Sequence, residues 1–143
     1  MRNCLIVHQG TLTNYIEYDS LVDVYKKLLS LDMVFFFKKH PVQLVKNEDH
    51  FIIFKDCIEV EKSVPAEMFI PFLNDGCIVS VYSDTLVASS FFPQVKTIAL
   101  LDMVKCKKES WRGRVKNMLV ERSEDRILFP KNFKELKSVT ESK

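Results

Sequence analysis

Glycine is scarce in this chain of 143 residues: Gly10, Gly76 and Gly113 are the only three. That scarcity excludes the glycine-rich dinucleotide loop and the Walker-type phosphate loop, which need several glycines at fixed spacing so that backbone N–H groups can approach a phosphate. The four cysteines (Cys4, Cys57, Cys77, Cys106) form no Cys-x-x-Cys pair and show no Cys/His metal spacing. They read as buried or incidental thiols of a cytoplasmic protein. No Asp-x-Asp pair is present to hold a divalent metal against a nucleotide diphosphate. No apolar run reaches the roughly 18–20 residues of a membrane-spanning helix, so the chain is not expected to cross a membrane. A strong charge of one sign is missing too, since the formal net charge is +2, too small to point to nucleic acid.

What is present is a 47% hydrophobic composition, enough for one domain over residues 1–143 that buries about two-thirds of its unfolded surface. The small net charge conceals an asymmetry. Residues 105–143 hold twelve Lys/Arg against six Asp/Glu, which leaves residues 1–104 at −4. The basic surface is therefore C-terminal.

Apolar runs and amphipathic stripes alternate along the chain. Cys4-Leu5-Ile6-Val7 reads as a buried parallel strand closed by His8-Gln9-Gly10, because such strands are apolar on both faces. Leu21, Val24, Tyr25, Leu28 and Leu29 recur at helical spacing behind Asp19 or Ser20 as N-cap. Met33 to Phe37 forms a second strand, stopped by Lys38-Lys39-His40-Pro41, in which Lys38 and His40 are expected to share one tight turn. Phe51 to Phe54 is ambiguous, and Ile58 to Glu61 alternates like a short half-exposed strand. Val64-Pro65-Ala66-Glu67 opens a helix that Asn74-Asp75-Gly76 ends as a turn. Cys77 to Tyr82 is the next strand, Ser83 an N-cap, and Val95 to Leu100 a further strand. From Lys105 the chain reads as charged, with Trp111 docked in a solvated loop, a short helix over Asn132–Leu136, and a tail that frays over residues 139–143. Strands alternating with helices predict an α/β fold, a Rossmann-like parallel sheet with helices on both faces.

Open α/β sheets bind ligands outside the C-terminal ends of their strands. The polar residues placed there are Gln9 and Gly10, Lys38 to His40, and Ser83 to Thr85. Lys38 pairs a permanent cation with His40, which can donate or carry charge near neutral pH, a combination suited to phosphate. A strand that merely ends in solvated lysines would look the same. The Ser83 hydroxyl, with the free N–H groups of Thr85 and Leu86, forms an anion site at a helix start, although any Ser N-cap would read alike. Glu67, in the first turn after Pro65, could accept two hydrogen bonds from vicinal ribose hydroxyls. An ordinary first-turn glutamate has the same sequence.

The order strand, Lys38-x-His40-Pro41, Val64-Pro65-Ala66-Glu67, then strand-Tyr82-Ser83-x-Thr85 resembles the C-terminal domain of bacterial sialyltransferases and polysialyltransferases of the GT-B fold. The closing Leu128-Phe129-Pro130-Lys131-Asn132-Phe133-Lys134-Glu135-Leu136 also looks like that family's end, so the resemblance runs from Cys4 to Leu136. It implies a glycosyltransferase half-domain of polysaccharide biosynthesis whose donor is CMP-sialic acid. His40 would bind the CMP phosphate and stabilise it as leaving group, Lys38 would lie near the nucleotide, Glu67 would take the ribose, and Ser83 with Thr85 would hold the phosphate. No metal or other cofactor is expected, since a monophosphate leaving group can be met by a histidine and fixed dipoles.

Two departures matter. Relatives often carry Ser-Ser or Ser-Thr where this chain has Ser83-Asp84, so Asp84 is expected to point away from the phosphate. The family's general base and acceptor groove lie in an N-terminal domain for which 143 residues leave no room. The resemblance thus implies a half-enzyme, inactive alone, that works with an acceptor domain or partner chain. Its basic C-terminal segment is a candidate contact for the inner membrane surface. The alternatives are a CDP-glycerol or polyol-phosphate transferase-like domain and a non-catalytic nucleotide-binding or interaction module.

Overall fold

The computed structural model describes residues 2–8, 14–39, 53–61, 63–73 and 75–142. Five parallel strands make one sheet: β1 (Asn3–Val7), β2 (Val34–Lys38), β3 (Ile58–Glu59), β4 (Cys77–Ser80) and β5 (Lys96–Ala99). Their spatial order is β3-β2-β1-β4-β5, the Rossmann-like order in which the chain winds outward from β1 in both directions. Cys4 and Leu5 of β1 pair with Phe35 and Phe36 on one side and with Cys77 and Ile78 on the other. Beyond β5 a single parallel rung is added by Leu128, whose N–H donates to the Thr97 carbonyl and whose carbonyl accepts from Ala99, both at 2.9 Å.

Alternation of side chains along the central strand divides the core into two layers. Cys4 and Ile6 face the layer built with Leu21, Val24, Tyr25 and Leu28 of α1 (Tyr18–Leu29) and Leu136 of α5 (Phe133–Glu141). Leu5 and Val7 face the other layer, with Ile70 and Leu73 of α2 (Ile70–Leu73), Leu86 of α3 (Asp84–Ser90) and Leu119 of α4 (Glu109–Arg122). Being covered on both faces is why β1 is an unbroken apolar run.

Several local expectations change. α1 begins one residue before Asp19, with Glu17 in the cap position and no side-chain cap. The Ser20 hydroxyl is instead engaged by the Lys105 N–H at 2.7 Å. Lys38 is the last residue of β2 and pairs with Val7, so it belongs to the strand rather than to a turn. The segment after Pro65 is a 3-10 turn (Ala66–Phe69) leading into the single turn of α2. Residues 105–143 contain a full helix, α4, which sequence reading took for charged loop, and Trp111 is buried in its first turn. It stacks on Tyr15 (ring centroids 4.8 Å) and meets Tyr82 edge-on (5.5 Å). Residues 139–141, expected to fray, are the last turn of α5. Arg2 donates to the Thr140 and Ser142 carbonyls at 2.5 and 2.9 Å, and Lys96 to the Val139 carbonyl at 2.8 Å, so two cations sit at the negative end of that helix.

Asp75 takes φ 65° at the turn expected from Asn74-Asp75-Gly76, a left-handed conformation that Asp tolerates. Gly76 follows because a Cβ there would overlap the Asn3 carbonyl oxygen and lie 2.7 Å from that of Leu73.

Candidate functional site

The C-terminal ends of β1, β2 and β4 lie side by side. Phe37 points into the aromatic cluster of Tyr25 and Phe54, so its neighbour Lys38 is directed to the opposite face, alongside Val7. Only 5% of Lys38 is exposed. Burial pulls its ammonium below the usual lysine range, while the carboxylates of Glu67 and Glu61 act in the opposite direction. The fold thus holds a desolvated cation beside acidic neighbours.

After β4 the chain bends through Val81 and Tyr82 and enters α3 at Ser83. Ser83 is the N-cap that sequence reading expected, and its Oγ accepts from the Thr85 N–H at 3.1 Å. Its carbonyl accepts from the Leu86 N–H at 3.0 Å. The two N–H groups expected to be free for an anion are therefore both taken by Ser83 itself. What Ser83 and Thr85 offer a ligand at this corner is hydroxyl chemistry.

These residues surround a cavity of about 550 Å³. Lys38, Glu67, Ser83 and Thr85, from three separate segments of the chain, all line it, with Val7, Tyr82 and Met118 supplying apolar wall. It opens where the winding reverses between β1 and β4, the topological switch at which such sheets bind ligands. Its volume falls within the ordinary range for small-molecule sites. Glu67 sits in the 3-10 turn rather than at the start of a regular helix, so little helix dipole acts on it.

Two further charged residues line the cavity: Lys39, which sequence reading placed at the end of β2 without a separate role, and Arg122, which it left out of the site. Lys39 lies 3.6 Å from Glu59, and Arg122, the last residue of α4, lies 3.6 Å from Asp84. Asp84 is among the residues that line the cavity, and its largely exposed carboxylate is balanced by Arg122. A signal for α4 existed, because Trp111, Val115, Met118 and Leu119 follow the i, i+4, i+7, i+8 stripe. The density of Lys and Arg around that stripe concealed it.

Gln9, Gly10 and His40, the remaining expected site residues, lie outside the described residues. His8, which sequence reading used only as a strand end, is buried among Tyr25, Phe37 and Phe54, its ring centroid 6.0–6.5 Å from theirs. Among the described residues, no group of three or more His, Cys, Asp or Glu side chains is arranged to hold a metal ion. No helix among them is long and apolar enough to cross a membrane. Compared with models of known protein families, with curated proteins and with solved structures, the chain finds no match in any of the three.

Proposed function

We propose that the cavity binds the nucleoside monophosphate part of a CMP-sugar, and that the domain is the donor-binding half of a sialyltransferase-like glycosyltransferase of the GT-B type. The observation that carries this reading is the meeting of Lys38, Glu67, Ser83 and Thr85 in one cavity at the switch point of the sheet. Each suits one part of a nucleotide. Lys38 meets phosphate charge in a water-poor setting where the attraction is strong. The Ser83 and Thr85 hydroxyls donate to phosphate oxygens, and the Glu67 carboxylate accepts from both ribose hydroxyls. Cytosine as the base and sialic acid as the sugar rest on the family resemblance, as does the role of His40 in stabilising the departing CMP. The acceptor and its general base belong, in this reading, to another domain or a partner chain.

Calorimetry on the full chain tests it with CMP, UMP, cytidine and CDP-glycerol. CMP is expected to bind at least tenfold more tightly than cytidine, since a charge-assisted contact to phosphate is worth about 1.5–3 kcal/mol. No heat with millimolar CMP would sink the proposal. A preference for CDP-glycerol over CMP would move it to polyol-phosphate transfer.

A further inference from the structure

Each cation at the cavity has an acidic neighbour: Lys38 is opposed by Glu67 and Glu61, Lys39 by Glu59, and Arg122 by Asp84. Of the two ion pairs, Lys39–Glu59 and Arg122–Asp84, only the second has both members lining the cavity. It is also the more exposed of the two. The Asp84 side chain is 85% and that of Arg122 59% exposed, with 3.6 Å between charged atoms. A pair so exposed contributes little to stability and is easily exchanged. A phosphate monoester carries more charge than a carboxylate and matches the guanidinium fork with two parallel hydrogen bonds. Arg122 lies on α4 and Asp84 in the first turn of α3, so the guanidinium can leave the carboxylate by side-chain rotation, without disturbing either helix.

We propose that Arg122 is a phosphate-binding residue of this cavity and that Asp84 is its resident competitor: an entering phosphate monoester takes the guanidinium from the carboxylate. The inference deepens the nucleotide reading and rests on it for the ligand's class. It also turns the unfavourable carboxylate at position 84 into a specificity device. A ligand without the phosphate cannot displace Asp84, so cytidine gains nothing from Arg122, whereas CMP does.

The test measures binding of CMP, cytidine and inorganic phosphate to the full chain and to the variants Arg122→Gln, Asp84→Asn and the double variant at low ionic strength. Arg122→Gln should weaken CMP and phosphate about fivefold and leave cytidine unchanged. Asp84→Asn should tighten CMP and phosphate by a few fold, and the double variant should show non-additive effects. CMP affinity unchanged in both single variants would overturn the inference and leave the nucleotide reading standing. Phosphate binding that responds to both substitutions, with CMP no better than phosphate alone, would keep Arg122 as an anion ligand and remove the nucleotide. Equal losses for CMP and cytidine in Arg122→Gln would mark a change of cavity shape and also overturn it, as would no binding of any of the three ligands to the unmutated chain.

Discussion

In the proposed nucleotide reading, Lys38 is the residue on which stability and ligand binding oppose each other. A lysine held below its ordinary pKa by burial costs the folded state stability while it is charged. The unfolded chain binds the extra proton between the lowered value and the ordinary one near 10.4, so this cost is fully present at neutral pH and fades as pH rises through that window. Lys38→Met, which keeps the length of the stem, is therefore expected to raise Tm at pH 7 and to weaken CMP binding at least tenfold. A lysine serving only to hold the fold would lower Tm on replacement, and thermal denaturation beside calorimetry separates the two. Gly76 shows the opposite case, a residue fixed by space alone. Gly76→Ala should cost about 3 kcal/mol in urea unfolding, because its methyl group would overlap the Asn3 carbonyl at the start of β1.

Among the elements, α5 is capped at both ends. Asn132 accepts from the Glu135 N–H at 2.9 Å, and the Glu135 carboxylate accepts from the Lys131 N–H at 2.6 Å. Asn132→Ala should lower stability by about 1 kcal/mol, read as a shift of the urea midpoint with unchanged slope, and should leave ligand binding unaltered. The strands and α1 were legible in the sequence because burial on both faces leaves apolar runs, and burial on one leaves a stripe, as at Leu21, Val24, Tyr25 and Leu28. Ser83 and Asn132 announced their helices through capping chemistry. α4 was not read, since its apolar stripe is narrow and interrupted by Arg112, Arg114 and Lys116. Two of these have structural duties that spacing cannot reveal: Arg112 donates to the Leu101 and Val104 carbonyls at 2.7 Å, and Lys116 pairs with Asp102 at 2.6 Å. With α4 missing, Arg122 and Met118 were missing from the site.

At the scale of the whole molecule, the winding order of the sheet decides where chemistry can occur. Lys38, Glu67 and Ser83 are far apart in sequence, yet all lie near C-terminal strand ends around the reversal between β1 and β4. That rule made Lys38, Ser83 and Thr85 legible from sequence, whereas the opposing carboxylates of Asp84 and Glu59 depend on side-chain directions that no pattern specifies. The lone tryptophan provides a built-in reporter, because Trp111 touches Tyr82 and Tyr82 lines the cavity; CMP binding should alter its fluorescence. Amide chemical shifts of the full chain during a CMP titration test the central claim most directly. The account predicts saturable shifts centred on Val7, Lys38, Glu67, Ser83 and Thr85, absent in Lys38→Met. Shifts confined to other surfaces, or none at millimolar CMP, would contradict it.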